Sequence, residues 1–214
     1  MPAGQQEDDP RPRLRLGILA SHAGTTMQAI IDACAEGRLH AEVRVVIGNN
    51  SRSGALARAR AYGIPTAHLS SVTHPNEADL DRAITETLDG HRVDIVALAG
   101  YMKRLGPAVL SRYKGRMLNT HPALLPKFGG QGMYGDRVHE AVLAAGEEIT
   151  GASVHLVEGD YDTGPVLSQI EVPVLATDTL ETLRDRVQEA ERQHYVEVLE
   201  RIAMGEIVLE GLRR

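Results

Sequence analysis

Aromatic side chains are scarce in this chain. Its 214 residues include no tryptophan, one phenylalanine and six tyrosines. So few aromatic rings argue against a platform on which the bases of single-stranded nucleic acid could stack. The formal net charge of -6 also argues against a protein that holds nucleic acid by bulk electrostatics. We therefore predict no nucleic-acid partner.

Cysteine is almost absent. The single cysteine, Cys34, excludes an internal disulfide and leaves no cysteine cluster for a metal. Its Ala-rich helical surroundings favour a small buried residue over a nucleophile. The nine histidines include no His-x-x-x-His pair, so the sequence predicts no metal site.

Long apolar runs are also missing. No run approaches the roughly 20 residues that a membrane-spanning helix needs. The segment Met1–Pro12 is polar and acidic, which is typical of a disordered tail and not of a signal peptide. We predict a cytoplasmic protein without a membrane partner, in which residues 1–13 are a tail and residues 14–214 form one domain.

The rest of the chain alternates short apolar runs with helical patterns. With 43% hydrophobic and 24% charged residues, it has the composition of an ordinary globular protein. The predicted strands up to residue 98 are Leu14–Leu19, Val43–Ile47, Thr66–Leu69 and Asp94–Leu98. The predicted helices among them are Met27–Glu36, Ser53–Tyr62 and Glu77–Leu88. This βαβ rhythm predicts an α/β fold with a Rossmann-like, open, mostly parallel sheet and helices on both faces.

The regular alternation of strands and helices ends after Asn119. A predicted helix, Arg137–Ala145, is followed by two strands, Ala152–Val157 and Val166–Val172, which we expect to pair as an antiparallel extension of the sheet. A long amphipathic helix, Leu180–Met204, should cover one face.

Two segments carry the strongest chemical signal. In Leu118–Pro126, Asn119 and His121 lie two residues apart, so a strand here would present both side chains on one face. In Tyr161–Pro165, Asp162 offers a lone carboxylate at a turn. An amide, an imidazole and a carboxylate together can polarise a carbonyl and move a proton. Ordinary turn residues and a structural histidine are the alternative interpretation.

The loop Ser21–Thr26 follows the first strand and opens a helix. Backbone N–H groups and the helix dipole favour an anion at such a place, and the hydroxyls of Thr25 and Thr26 could add hydrogen bonds. A simple N-cap explains the same residues equally well.

The string from Asn119 to Pro126, which reads Asn-x-His-Pro-Ala-Leu-Leu-Pro, with the downstream Asp-x-Gly-Pro closely resembles folate-dependent formyltransferases. It is most similar to the glycinamide ribonucleotide formyltransferases of purine synthesis, over nearly the whole chain from Leu14. The resemblance implies that Asn119, His121 and Asp162 are catalytic and that 10-formyltetrahydrofolate is the formyl donor. Asn119 and a protonated His121 would stabilise an oxyanion, and Asp162 would raise the pKa of His121.

The resemblance also implies a binding site for the ribonucleotide substrate. Gly24, Thr25 and Thr26 stand where the family usually has Gly-Ser-Asn around the phosphate. Gln188 and Glu191 lie three residues apart on one face of the last helix and match family positions that reach the substrate.

For the folate, the resemblance implies two pocket walls. One comprises Met102, Lys103, Arg104 and Leu105, and the second comprises Glu158, Gly159, Asp160, Tyr161 and Asp162, with Asn119 between them. Lys103 stands where arginine is usual and lacks the planar fork that grips a carboxylate. Whether Arg104 compensates stays open.

Several interpretations remain beside this one. The Gly-rich loop Lys127–Gly135 is a hypothetical lid, and His139 and His155 receive structural roles first. Another folate formyltransferase or a formyltetrahydrofolate hydrolase is an alternative, which the chain length disfavours. A catalytically silent folate- or nucleotide-binding module is a further one. The sequence leaves a monomer and a homodimer equally open.

Overall fold

The computed structural model describes residues 11–212 and contains a single sheet flanked by helices. The strands are β1 (Leu14–Ala20), β2 (Ala41–Gly48), β3 (Thr66–His68), β4 (Ile95–Leu98), β5 (Met117–His121), β6 (Ile149–Leu156) and β7 (Val166–Pro173). The helices are α1 (Thr25–Ala35), α2 (Gly54–Ala61), α3 (Glu77–Gly90), α4 (Pro107–Arg112), α5 (Asp136–Ala144) and α6 (Leu180–Ala203).

The seven strands follow the order β3-β2-β1-β4-β5-β6-β7. The first five are parallel to one another, whereas β6 pairs antiparallel with both β5 and β7. The chain winds outward from β1 in one direction and then returns to continue from β4 in the other. The carboxyl ends of β1 and β4 therefore meet at a topological switch point, where open α/β sheets bind ligands.

Both faces of the parallel sheet are buried. Neighbouring residues of β1 point to opposite faces, so Ile18 packs in a core with α1 and α6, while Leu19 packs in a second core with α3 and α4. This double burial explains the almost continuous apolar runs of β1 and β4. The predicted α/β fold, with its mostly parallel sheet and antiparallel extension, is confirmed.

Side-chain caps begin three of the six helices, α2, α3 and α6. Asn76 accepts hydrogen bonds from the backbone N–H groups of Ala78 and Asp79 and so begins α3, and Thr179 forms a capping box with Thr182 at the start of α6. The sequence did not predict α4. Its first free N–H groups are capped from a distance, because the buried carboxylate of Asp81 on α3 accepts hydrogen bonds from Ala108 and Val109.

The remaining differences lie at element ends. Strand β6 begins at Ile149, three residues before the predicted start at Ala152. The predicted tail lies outside the described residues except for its last three positions. The carbonyl of Arg11 lies 2.8 Å from Nε2 of His40, so that residue contacts the fold. Within residues 11–212, no helix combines the length and apolarity needed to cross a membrane.

Candidate active site

A cavity of about 900 Å³ opens at the carboxyl ends of β1, β4 and β5, at the switch point of the sheet. It is also bordered by the loop that leads from β6 to β7, by the start of α5 and by one face of α6. Substrate pockets typically hold about 300–1,000 Å³, so this one is large enough for two small molecules side by side.

Strand β5 brings Asn119 and His121 to the cavity on the same face, as their spacing predicted. The strand lies between β4 and β6, so its backbone is hydrogen-bonded on both sides. His121 is only 3% exposed. Asn119 is paired in register with His155 of β6, and their side chains meet, with Nδ2 of Asn119 at 3.1 Å from Nε2 of His155.

Asp162 approaches this pair from the loop between β6 and β7. Its backbone has a φ of 57°, a left-handed conformation that is uncommon for a residue with a side chain. One carboxylate oxygen lies 3.4 Å from Nδ1 of His121, and the other lies 3.4 Å from Nε2 of His155. The backbone N–H of Gly130 donates to the first oxygen over 3.0 Å. Asp162 is therefore fixed between two imidazoles.

Burial decides the charge of His121. It lowers the pKa of the ring below its ordinary value, although Asp162 and the carbonyl of Phe128 both act to raise it. Asp162 raises this pKa, as the resemblance implied, but desolvation of the buried imidazolium outweighs that single carboxylate and the pKa stays below its ordinary value. Nε2 lies 2.7 Å from the Phe128 carbonyl, which can only accept, so this nitrogen carries a proton.

Asp162 keeps its negative charge in the same surroundings. Burial is the largest influence and acts to raise the pKa of the carboxyl group. The neighbouring rings of His155 and His121 and the N–H of Gly130 together outweigh it and lower that pKa.

Glu191 lines the same cavity as residues of the loop Ser21–Thr26. Thr25 and Thr26 begin α1 and line the cavity, as do Gln188 and Glu191 on α6. Burial raises the pKa of Glu191 to about 7, and Thr120 and Arg192 offset only part of that rise. A carboxyl group in this position changes charge near neutral pH.

Nine of the predicted site residues line the cavity together. They are Thr25, Thr26, Met102, Asn119, His121, Tyr161, Asp162, Gln188 and Glu191. Seven others do not line it: Gly24, Lys103, Arg104, Leu105, Glu158, Gly159 and Asp160. Gly24 still shapes the loop, because its φ is 76° and a Cβ atom there would lie 2.8 Å from the Cα atom of Ala55.

The two predicted folate walls face each other outside the cavity lining. Arg104 and Asp160 form an exposed ion pair at 3.2 Å between the segments. Leu105 points into the core instead and is 8% exposed, in the same cluster as Leu98 and Val109. Lys103 is exposed to solvent. The structure thus brings only the ends of both walls, Met102 and Tyr161 with Asp162, to the cavity.

The Gly-rich loop forms one side of the cavity through Gly130–Gly135. Lys127 anchors its beginning by an ion pair to Glu147 at 2.9 Å. The loop also contacts the catalytic candidates directly, through the Phe128 carbonyl at His121 and the Gly130 N–H at Asp162. Its action as a lid stays a prediction.

Several lining residues were not among the predicted site residues, including His22, Thr120, Asp136, Arg137 and Arg192. For two of these residues, the sequence position could have indicated a place in the site. His22 lies two residues after the end of β1, and Arg192 lies one turn after Gln188 on the same helix face. Arg137, in the first turn of α5, had no such signal.

His139 combines burial with a place at the cavity. It is 1% exposed, and its Nδ1 has no hydrogen-bond partner among the described residues. Burial lowers its pKa, so the ring is neutral near pH 7. In the part of the chain that the structure describes, no group of three or more His, Cys, Asp and Glu side chains could hold a metal ion.

The profile of the family described as formyl transferase matches residues 14–199. The chain is 38% identical to the phosphoribosylglycinamide formyltransferase of Escherichia coli (strain K12), over 91% of this chain and 89% of that protein. It is 39% identical to a chloroplastic phosphoribosylglycinamide formyltransferase of Vigna unguiculata, where the match covers 92% of this chain but only 63% of the plant protein.

A solved structure extends this likeness to three dimensions. The glycinamide ribonucleotide transformylase 1 from Symbiobacterium toebii superposes with a TM-score of 0.87 at 37% identity, and the match covers 99% of this chain and 97% of that one. The family profile and the E. coli relative each cover most of the chain, including the segments that carry Asn119, His121 and Asp162. The chain therefore belongs to the formyl transferase family, in its phosphoribosylglycinamide formyltransferase branch.

Proposed function

We propose that this chain transfers the formyl group of 10-formyltetrahydrofolate to the amine of glycinamide ribonucleotide, a step of purine synthesis. The observation that carries the proposal is the meeting of Asn119, His121 and Asp162 at one wall of a cavity large enough for both substrates. Because the chain belongs to the formyl transferase family, formyl transfer is the reaction that we assign to this arrangement.

The ribonucleotide end is supported by Thr25, Thr26, Gln188 and Glu191. The N–H groups at the start of α1, an eleven-residue helix, favour a phosphate, and the two threonine hydroxyls lie beside them at the cavity. Glu191 is suited to the substrate amine, because a carboxylate attracts an ammonium group and a pKa of about 7 leaves a large part of it charged near neutral pH.

The folate end is supported by Met102, Tyr161 and Asp162 beside the Gly-rich loop. Met102 and Tyr161 are exposed large side chains, 43% and 49%, at the mouth of the cavity. Apolar and aromatic surface that is open in this way suits a flat heteroaromatic ring. Lys103, Arg104 and the segment 158–160 remain candidates for contacts outside the cavity, where a charged tail of the donor could lie.

In the reaction, the bound ammonium group first loses one proton to water. The neutral amine nitrogen then attacks the formyl carbon, and the formyl oxygen takes up negative charge. The Asn119 amide and the Nε2–H of His121 stabilise that charge. To do so, the Nε2–H of His121 leaves the carbonyl of Phe128 and donates to the developing oxyanion instead. Negative charge beside the ring also favours the imidazolium form, whose Nδ1–H then faces Asp162.

Collapse of this state breaks the bond between the formyl carbon and N10 of the donor. The proton lost by the amine passes to N10 through water that Asp162 helps to hold. The products are the formylated amine and tetrahydrofolate. The chain needs no covalent intermediate, since none of the lining residues is a serine or cysteine paired with a base.

The first test is a spectrophotometric assay of reduced folate release from the 10-formyl donor, with and without the ribonucleotide. We expect turnover only with both substrates, and a loss of about 10²- to 10³-fold in kcat for Asn119→Ala and His121→Ala with little change in KM. His91→Ala, at the end of α3 and outside the cavity, is the matched control and should keep full activity.

The other outcomes of this assay point to the alternatives. Folate turnover without the ribonucleotide would identify a hydrolase. Binding of both ligands without turnover would identify a silent binding module.

A further inference from the structure

We infer that His155 is a positioning residue: it accepts a hydrogen bond from Asn119 and thereby aims the second N–H of that amide into the cavity. The inference rests on the proposed function, because it assigns a supporting partner to the proposed oxyanion donor. His155 does not line the cavity itself, so it acts through Asn119.

The hydrogen bonds of His155 fix where its proton lies. The ring is 2% exposed, and Nδ1 lies 2.9 Å from the backbone carbonyl of Leu156. A carbonyl can only accept, so Nδ1 carries the hydrogen. In the neutral ring this leaves a lone pair on Nε2, which faces Nδ2 of Asn119 at 3.1 Å.

That contact sets the orientation of the Asn119 amide. The two ends of an amide are alike in size and opposite in hydrogen bonding, so sterics alone do not decide which end faces a given neighbour. An acceptor at His155 selects the NH₂ end. One N–H then points to the ring, and the other is free for an acceptor in the cavity, which Asn119 lines. With the amide reversed, a carbonyl oxygen would take its place and repel an oxyanion.

The sheet makes this arrangement rigid. Asn119 and His155 are register partners across the β5–β6 pair, so the backbone holds their side chains together. Asp162 lies against the same ring with an oxygen 3.4 Å from Nε2, while its other oxygen faces His121. If Nε2 were protonated, it would donate to Asp162 and would no longer accept from Asn119. The inferred role therefore belongs to the neutral ring.

The test is a double-mutant cycle of His155→Leu with Asn119→Ala, read by kcat and by KM for both substrates. We expect His155→Leu to lower kcat about 10- to 100-fold, less than the loss of the whole donor, and to change each KM by less than about twofold. In the Asn119→Ala background the same substitution should lower kcat by less than about threefold, because its target is gone. His155→Gln, whose side-chain carbonyl can accept, should recover most of the activity.

His91→Leu is the matched control, since His91 also contacts a backbone carbonyl through Nδ1, at 2.8 Å, but lies outside the cavity. It should leave kcat unchanged. If His155→Leu is unfolded at the assay temperature, His155→Met takes its place in the cycle, since its flexible side chain adapts to buried space.

Losses that multiply in the double variant, or a rise in KM at constant kcat, would overturn the inference while leaving the proposed function intact. Absence of formyl transfer by the unsubstituted protein would instead overturn the proposed function.

Discussion

At the scale of single residues, the ionisation of His121 is a balance between burial and one carboxylate. Burial lowers its pKa, and the charge of Asp162 raises it in part. The two groups lie 3.4 Å apart, with side chains 4% and 10% exposed, so water screens their interaction poorly. The ring is therefore largely neutral at rest, but is ready to take a proton when negative charge forms beside it.

Removing the carboxylate charge should shift this balance further. We expect Asp162→Asn to lower the pKa of His121 below its value in the unsubstituted protein, because the main influence that opposes burial is lost. The midpoint of the His121 ring signals in an NMR pH titration should move to lower pH, and kcat should fall. Asp160→Asn, which removes an exposed carboxylate two residues away, is the control and should leave that midpoint in place. An unchanged midpoint in Asp162→Asn would remove Asp162 from the account of His121.

Glu191 offers a second prediction at this scale. Burial raises its pKa to about 7, so the carboxylate form grows as the pH rises from 6 to 8. An ammonium group of the substrate should therefore bind more tightly over this range. We expect Glu191→Gln to weaken ribonucleotide binding by about 10- to 100-fold at pH 8, as for the loss of a hydrogen bond to a charged group, and to remove this pH dependence.

Calorimetric titration at several pH values would measure the effect. Glu181→Gln, in the exposed first turn of the same helix, should bind like the unsubstituted protein. Retention of the full pH dependence in Glu191→Gln would assign it to the ribonucleotide itself.

At the scale of elements, sequence patterns predicted every strand except β5 and every helix except α4, including the poorly buried β7 and the helices α1 and α5, which have no side-chain cap. They did not predict α4, because that helix has only six residues and takes its cap from Asp81, which lies 27 positions before Ala108. For β5 they gave only a conditional prediction. The polar residues of that strand obscure its pattern, and its pairing with β4 and β6 is set by the sheet as a whole.

The contrast between local sequence patterns and contacts of distant residues also explains which parts of the candidate site could be predicted. The spacing of Asn119 and His121 was readable because a strand has a period of two. The contact of Asp162 with both His121 and His155 was not, since it depends on the loop that follows β6. Arg137 of α5 and Thr120 of β5 also line the cavity, and no local pattern of the sequence encodes that position.

The distant cap of α4 makes a prediction at this scale. Asp81 is 6% exposed and accepts hydrogen bonds of 2.7 and 3.0 Å from the backbone of α4. We expect Asp81→Ala to lower the free energy of unfolding by about 2 kcal/mol, as for the loss of a helix cap with buried donors left unpaired. Chemical denaturation would measure it. Asp81→Asn keeps an acceptor and should recover most of the loss, whereas equal losses in both variants would mean that the charge and not the cap matters.

At the scale of the whole molecule, the site draws on elements from both ends of the chain. The cavity takes residues from α1 near the start, from β5 in the middle and from α6 near the end. These elements are joined through one sheet, and α6 packs in the same core as α1. The net charge of -6 means that an anionic substrate must be held by local donors and not by the overall field.

Because the site joins distant elements, a ligand there should stabilise the molecule as one unit. At a ribonucleotide concentration about 100 times its Kd, binding adds about 2.7 kcal/mol to the free energy of unfolding. For a protein of this size that corresponds to a rise of about 5–10 °C in Tm. Differential scanning calorimetry should show a single transition that moves as a whole, and Glu191→Gln should show a much smaller shift at the same concentration. Two transitions of which only one moves would mean that the elements around the cavity unfold separately, and would count against a single domain over residues 14–214.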